Sequence, residues 1–189
     1  MELVTLTPDL GGYFGTDEGL LVVRAPTDEA LRYDIEVTKQ LGMNMARKHV
    51  KIEPARWYYW CDKFGLLVWQ DMPHKEAIDP ESNTQWEHEL REMILEHINA
   101  PSIIYWVIFN EMWGIYDTDR ITNYVKKLDP DRLTGAQSGG EDKRGYIDTG
   151  AGDGLDHHTY GEDPARQVPV PKLSTNPFRF SAVGEYGGI

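Results

Sequence analysis

The sequence predicts an α/β fold, namely a (β/α)8 TIM barrel that is incomplete and has about six strands. Short apolar runs alternate with amphipathic helical segments, which predicts a parallel sheet with crossover helices. No glycine-rich phosphate turn follows any predicted strand, and this disfavours an open nucleotide-binding sheet. The chain has 189 residues, whereas a complete barrel typically needs about 250.

The first residues are expected to differ from the rest. Residues 1–26 are rich in Gly, Pro and Thr and have no sustained period, so we expect an extended loop that leads into a barrel domain of residues 27–189. Thr27 is a typical N-cap, and two acidic residues after it suit the positive end of a helix dipole. Gly42 ends this helix, and a short strand is predicted over residues 43–48.

The next two units repeat this order. Pro54 suits the first position of a helix, and Gly65 ends it. The apolar run at residues 66–70 predicts a buried strand. A third helix is predicted over residues 80–98, where apolar side chains recur at helical spacing, and Asn99-Ala100-Pro101 ends it.

The second half of the chain also alternates. Residues 103–109 are apolar and rich in β-branched and aromatic side chains, so they predict a strand buried on both faces. Residues 139–154 are rich in Gly and Asp and are expected to form a loop. The remaining elements are a helix over residues 118–128 and strands over residues 133–136, 154–158 and 180–184.

The composition fits one globular domain and disfavours two classes of partner. The formal net charge is −12, whereas binding to nucleic acid or to a membrane surface needs a positive field. There is no apolar window of about 18 residues, and residues 1–20 lack the pattern of a signal peptide. Cys61 lies among aromatic residues and is expected to be a buried thiol. Ten tyrosines and six tryptophans fit either a bulky core or a sugar-binding cleft.

Two glutamates stand at the ends of predicted strands. Glu111 follows the apolar run that ends at Asn110, and Glu185 follows Ser181-Ala182-Val183-Gly184. Proteins with alternating strands and helices place their chemistry at the carboxyl ends of the strands. Glycoside hydrolysis usually needs two carboxyl groups, one protonated and one ionised. The position of the two acids therefore predicts chemistry shared by a pair.

The segments around these acids resemble the catalytic domain of glycoside hydrolase family 2, which includes β-galactosidases, β-glucuronidases and β-mannosidases. The resemblance extends from about Thr27 to the end of the chain. Its carriers, in order, are Gly42-Met43-Asn44-Met45-Ala46-Arg47, the run from Trp57 to Asp71, Asn99-Ala100-Pro101-Ser102-Ile103-Ile104 with Phe109-Asn110-Glu111, and Val183-Gly184-Glu185-Tyr186-Gly187-Gly188.

The resemblance implies a retaining glycoside hydrolase that cleaves β-linked sugars through a covalent glycosyl-enzyme intermediate. In that family the acid/base follows strand four and the nucleophile follows strand seven, which assigns these roles to Glu111 and Glu185. Asn110 would bind the hydroxyl next to the anomeric carbon. Arg47 would support the nucleophile or the substrate.

The chain departs from the family pattern at two places. Many members have Arg-x-x-His at the second strand, whereas Arg47-Lys48-His49 stands here. His49 is therefore a less direct match, although Lys51 or His49 could still face the cleft. Several β-galactosidases have Asp-Glu-Ala-Asn after strand three, but this chain has Gln70-Asp71-Met72-Pro73, so neither a magnesium site nor another cofactor is expected. By the same comparison, strands one and eight and the preceding β-sandwich domains would lie outside the chain.

Aromatic and histidine side chains near the two acids are further candidates for the cleft. Trp113 lies in the loop after Glu111, where its ring could stack on a pyranose, whereas Trp69 and Trp106 lie within strands and are expected in the core. The side chains predicted to bind substrate are Arg47, His49, Asn110, Trp113, His158, Tyr160 and Tyr186.

Two alternatives to a glycosidase site were considered: a metal site and a barrel without catalytic activity. Residues 148–158 contain three aspartates and two histidines, but the calcium-binding β-roll that they resemble needs tandem repeats, and adjacent histidines on a strand point to opposite faces. No metal is therefore expected. An incomplete barrel could also be catalytically inactive and act as a carbohydrate-binding module, or self-associate through unpaired sheet edges. Carbohydrate is the expected partner.

Overall fold

The computed structural model describes residues 2–5, 20–24, 27–139, 148–159, 174 and 176–186. Among these residues, no helix has the length and apolar character to cross a membrane. The helices are α1 (Asp28–Gln40), α2 (Ala55–Phe64), α3 (Pro80–His97) and α4 (Thr118–Leu128). The strands are β1 (Glu2–Thr5), β2 (Leu20–Arg24), β3 (Met45–Lys48), β4 (Leu67–Asp71), β5 (Ile103–Asn110), β6 (Leu133–Ser138), β7 (Gly154–Thr159) and β8 (Phe180–Tyr186).

Strands β3 to β8 form one parallel sheet in which each strand pairs with the next along the chain. An open doubly wound sheet would reverse its strand order at a switch point. The unbroken order is instead that of a barrel wall, with six of the eight strands present. The prediction of an incomplete (β/α)8 barrel is confirmed.

The segment expected to be an extended loop contains two strands instead. β1 and β2 pair antiparallel, with Leu3 opposite Val22 and Thr5 opposite Leu20. The two strands are short and are separated by more residues than a hairpin loop contains, so neither a period nor a turn motif marked them in the sequence. A domain boundary near residue 26 stays a prediction.

Helix ends follow the predicted capping residues closely. The Thr27 side chain accepts a hydrogen bond from the backbone N–H of Ala30 at 3.2 Å, which fixes the start of α1. Gly65 ends α2 in the left-handed conformation, with φ of 68°. Pro54 is the N-cap of α2 and not its first helical residue. These contacts are local, which is why the sequence marks them well.

The sheet separates two apolar layers, and it curves. Trp106 of β5 packs in the layer between the sheet and the helices, whereas its neighbour Tyr105 packs with Trp69 on the opposite face. Both tryptophans are buried, as expected for core residues. Phe180 of β8 lies 6.0 Å from Trp69 of β4 between ring centroids. These strands are four positions apart in the sheet, so the face that carries both rings is the concave interior of the barrel.

Candidate active site

The carboxyl ends of four strands bring five of the predicted site residues together. Arg47 lies near the end of β3, Asn110 ends β5 and Glu111 follows it, His158 lies near the end of β7, and Glu185 near the end of β8. Glu111, His158 and Glu185 lie close together. One carboxylate oxygen of each glutamate and one imidazole nitrogen of His158 all lie within 4.8 Å of one another. The site therefore forms at the edge of the sheet that the parallel strand pattern predicts.

Arg47 links the two sides of this cluster. It donates to Glu185 Oε1 from Nη1 at 2.7 Å and to Asn110 Oδ1 from Nη2 at 2.8 Å. It also donates to Asp71 Oδ2 from Nη2 at 2.7 Å. Burial disfavours the charged guanidinium, but the hydrogen bonds and negative charge of Asp71 outweigh it, so the pKa of Arg47 is raised. Arg47 is thus a fixed cation beside Glu185, and its charge disfavours a metal ion at the same place.

Asp71 is the buried counter-ion of Arg47. Its side chain is 1% exposed, and the backbone N–H of Val50 also donates to Oδ2 at 3.3 Å. Burial is the largest influence on the carboxyl group and raises the pKa of Asp71, although the hydrogen bonds from Arg47 act in the opposite direction. Asp71 orients the guanidinium, because its carboxylate accepts hydrogen bonds from both Nε and Nη2 of Arg47.

Glu111 has a strained backbone. Its φ is 50°, in the left-handed region, where a residue with a Cβ costs roughly 1–2 kcal/mol. The neighbouring strand holds this conformation, because the Glu111 N–H donates to the Ser138 carbonyl at 2.7 Å and the Gln137 side chain donates to the Glu111 carbonyl. Strain of this kind concentrates at functional sites. It turns the carboxyl group toward His158, whose Nδ1 lies 3.1 Å from Oε1.

His158 lies between the two glutamates. Its side chain is 2% exposed. Nδ1 faces Glu111, whereas Nε2 lies 2.7 Å from Ser138 Oγ and 3.4 Å from Glu185 Oε1. Gly139 permits this position, because a Cβ there would meet His158 Nδ1 at 2.6 Å.

Behind His158 lies a buried acid that the sequence did not identify as part of the site. Asp156 Oδ2 accepts a hydrogen bond from Ser138 Oγ at 2.6 Å, and Oδ1 accepts one from the Gly184 N–H at 2.6 Å. Burial raises the pKa of Asp156, although the hydrogen bond from Ser138 acts in the opposite direction. A Cβ at Gly184 would lie 2.3 Å from Oδ2. A glycine within a strand is a signal of such close approach, so Gly184 could have pointed to this contact.

A comparison with protein families identifies the family of this chain. Residues 21–149 match the family model described as glycosyl hydrolases family 2, TIM barrel domain. The chain belongs to glycoside hydrolase family 2. A β-glucuronidase from Bacteroides fragilis is 28% identical over 145 residues, which make up 66% of this chain and 21% of that protein. This family 2 barrel thus spans about a fifth of that relative's length.

Two solved structures resemble the family 2 barrel in sequence and in shape. A β-glucuronidase 2 from Bacteroides uniformis, covalently bound to cyclophellitol-6-carboxylate aziridine, has 26% identity and a TM-score of 0.62 over 72% of this chain and 19% of that one. A β-galacturonidase from Eisenbergiella tayi, bound to galacturonate, has 25% identity and a TM-score of 0.61 over 72% of this chain and 26% of that one.

The other predicted binding residues of the family 2 barrel lie at the margin of the cluster or outside the described residues. His49 is half exposed, and its Nε2 lies 3.5 Å from Glu185 Oε1. Trp113 is 47% exposed and packs against His74, with ring centroids 5.4 Å apart. Tyr186 is exposed beside Glu185. Tyr160 lies outside the described residues.

The aspartates of residues 148–158, which were considered above as a metal site, contact different partners. Asp148 pairs with Arg179 at 2.6 Å, and Asp153 pairs with Lys126 of α4 at 2.9 Å. Asp156 points to Ser138 on the neighbouring strand. Each acid therefore has a different partner.

Proposed function

We propose that this family 2 barrel hydrolyses β-linked glycosides with retention, through a covalent glycosyl-enzyme intermediate. The short distance between the two acids is the main support for this proposal. A carboxylate oxygen of Glu111 and one of Glu185 lie within 4.8 Å of each other. Retaining sites hold their carboxyl groups about 5–5.5 Å apart, whereas inverting sites need about 6.5–9.5 Å to admit a water. The short separation favours direct attack by one carboxylate.

The surroundings of the two acids support different roles. Glu185 receives a hydrogen bond from the Arg47 guanidinium at 2.7 Å, which favours the ionised carboxylate that a nucleophile must be. Glu111 faces His158 Nδ1 at 3.1 Å, and an imidazole nitrogen can accept or donate a proton. Glu111 therefore suits the acid/base, which must hold a proton in one step and none in the next.

The two steps follow from these roles. In the first, Glu111 gives its proton to the glycosidic oxygen as that oxygen leaves, and a Glu185 oxygen bonds to the anomeric carbon. In the second, Glu111 takes a proton from a water whose oxygen attacks the same carbon, and the bond to Glu185 breaks. The sugar leaves with its original configuration, because two inversions have occurred.

Sugar binding is proposed to involve Asn110 and Trp113. Because Asn110 Oδ1 accepts from Arg47, the amide presents its NH2 group as the donor to a sugar hydroxyl. Trp113 is 47% exposed in the loop after Glu111, where its ring can stack on a sugar in the neighbouring subsite. The relatives include enzymes named for glucuronides and galacturonides, so uronides belong in any substrate panel.

Azide rescue tests the roles of both acids. Glu111→Ala and Glu185→Ala are incubated with a panel of 2,4-dinitrophenyl β-glycosides and sodium azide, and the products are analysed by NMR. We expect the Glu111 variant to form the β-glycosyl azide and the Glu185 variant to form the α-glycosyl azide. The reverse assignment of products would contradict the proposed roles. The matched control is Glu87→Ala, which removes a glutamate that pairs with Arg120 between α3 and α4.

A second candidate function is self-association without hydrolysis. The outer strands of the described sheet are β3 and β8, and an exposed strand edge can pair with another chain. Sedimentation velocity of the chain at several concentrations measures this directly. A dimer without hydrolysis of any glycoside in the panel would favour this function over the catalytic one.

A further inference from the structure

A chain of hydrogen-bonding groups leads away from Glu111 into the protein interior. It runs from Glu111 Oε1 to His158 Nδ1 at 3.1 Å, from His158 Nε2 to Ser138 Oγ at 2.7 Å, and from Ser138 Oγ to Asp156 Oδ2 at 2.6 Å. The Ser138 hydroxyl has one proton and a neutral imidazole has one. The direction of every hydrogen bond in the chain is therefore coupled to the next.

For a neutral imidazole, two arrangements satisfy all three contacts. Two further groups face Nε2: Arg47 Nη1 at 3.3 Å, which can only donate and favours a lone pair there, and Glu185 Oε1 at 3.4 Å, which favours a proton there. In the first, Asp156 is ionised and Ser138 donates to it, so His158 donates from Nε2 to Ser138 and Nδ1 accepts the proton of Glu111. In the second, Asp156 carries a proton and donates it to Ser138, which donates to Nε2, so Nδ1–H donates to an ionised Glu111. Both arrangements hold three protons, and each proton moves by one hydrogen bond between them.

We propose that Asp156 is a positioning residue which, through Ser138, sets the tautomer of His158 and thereby keeps the proton on Glu111. Only the first arrangement leaves Glu111 protonated and ready to act as an acid. After Glu111 has given its proton away, its carboxylate faces the lone pair of Nδ1. That contact favours recovery of a proton from water in the second step. The inference rests on the proposed function of Glu111.

Hydrogen bonds and a nearby cation favour the ionised form of Asp156. The carboxylate accepts hydrogen bonds from Ser138 and from the Gly184 N–H, each at 2.6 Å. The positive charge of Arg47 also acts on it. Burial acts in the opposite direction and raises the pKa of Asp156. The titratable and charged groups that interact with Asp156 are Arg47, His158 and Tyr105.

Asp156→Asn is the direct test, because it reverses one donor and changes little else. The Asn carbonyl can accept from Gly184, so its NH2 group faces Ser138 and donates to Oγ. Ser138 must then donate to His158 Nε2, which forces the Nδ1–H tautomer. In 15N-labelled protein, the imidazole shifts of His158 report which nitrogen carries the proton. We expect Nε2–H in the wild type and Nδ1–H in Asp156→Asn.

Two further variants keep the test falsifiable. Ser138→Ala removes the link, so we expect the tautomer of His158 to respond no longer to Asp156→Asn in that background. Ser138→Thr keeps a hydroxyl and should restore the response. Asp153→Asn is the matched control, since Asp153 pairs with Lys126 and should leave His158 unchanged. An unchanged tautomer in Asp156→Asn, or a response that survives Ser138→Ala, would overturn the relay.

A kinetic measurement separates failure of the relay from failure of the proposed function. General acid catalysis contributes about 10²–10⁴-fold, so Asp156→Asn should lose about 10²-fold in kcat/KM, which reports the first step, on glycosides with poor leaving groups. It should lose little on 2,4-dinitrophenyl glycosides, which need no acid. Equal losses on both substrates would contradict the relay. A tautomer exchange in a chain that hydrolyses neither substrate would support the relay and contradict the proposed function.

Discussion

Removal of the Arg47 charge should destabilise the fold through Asp71. Arg47→Met keeps the length of the side chain but leaves a carboxylate that is 1% exposed without its cation. Breaking a buried pair from one side costs about 3–5 kcal/mol, which is a large part of the roughly 5–15 kcal/mol that stabilises a domain. Arg47→Lys keeps the charge but cannot reach Asp71, Asn110 and Glu185 together, so we expect a smaller loss.

Urea unfolding monitored by tryptophan fluorescence measures this loss. At neutral pH, the double variant Asp71→Asn/Arg47→Met should recover much of it, because it removes the stranded charge. The loss should also shrink as the pH falls. Burial raises the pKa of Asp71 even beside Arg47, and removal of the guanidinium raises it further, so the folded variant takes up a proton at a higher pH than the unfolded chain does. At a pH below the pKa of Asp71 in the unfolded chain, Asp71 is protonated in both states and the loss of stability is absent. The loss develops as the pH rises from that pKa to the higher pKa of Asp71 in the folded variant.

Two outcomes would contradict a stabilising buried pair of Arg47 and Asp71. One is a loss in Arg47→Met below about 1 kcal/mol at neutral pH, which is the range of an exposed ion pair. The other is a double variant that is no more stable than Arg47→Met alone.

Three further predictions concern separate parts of the fold. Gly184→Ala should cost about 1–3 kcal/mol in urea unfolding, because the new Cβ would lie 2.3 Å from Asp156 Oδ2; an unchanged midpoint would contradict the close approach. Burial acts to raise the pKa of Asp129. The hydrogen bonds that its carboxylate accepts from the Trp106 indole N–H and from Arg132 have the larger combined effect, so the pKa is lowered. Asp129→Asn should therefore cost about 1.5–3 kcal/mol at neutral pH, and the difference should vanish as acid protonates Asp129 in the folded wild type. Cys61 is 0% exposed, and burial raises its pKa to about 12, so iodoacetamide should alkylate it only in denaturant; alkylation of the folded chain would contradict the buried thiol.

The sequence predicted the elements that depend on local signals. Thr27, Gly65 and the apolar period of α3 act within a few residues, so the helix bounds agree closely with the structure. The strand order followed from the prediction of a barrel, because successive strands of a barrel are neighbours. The absence of a glycine-rich phosphate turn had disfavoured an open doubly wound sheet. The pairing of β1 with β2 was missed, since it joins residues far apart along the chain.

The site could be predicted only in part for the same reason. Glu111 and Glu185 were predicted as a pair because each stands at the end of a strand, and such ends meet at one edge of a parallel sheet. The contact between Ser138 and Asp156 depends on the register of β6 against β7, which no local pattern encodes. Asp71 became part of the site only because Arg47 reaches it across the sheet.

Covalent trapping tests the proposal that Glu185 is the nucleophile of a retaining glycosidase. The chain is incubated with cyclophellitol aziridines of β-gluco, β-galacto, β-manno and β-glucurono configuration, and intact mass and peptide mapping locate the label. We expect one probe to add a single label to Glu185, with none added to Glu185→Gln. A label on another residue, or labelling that persists in Glu185→Gln, would rule out this role for Glu185.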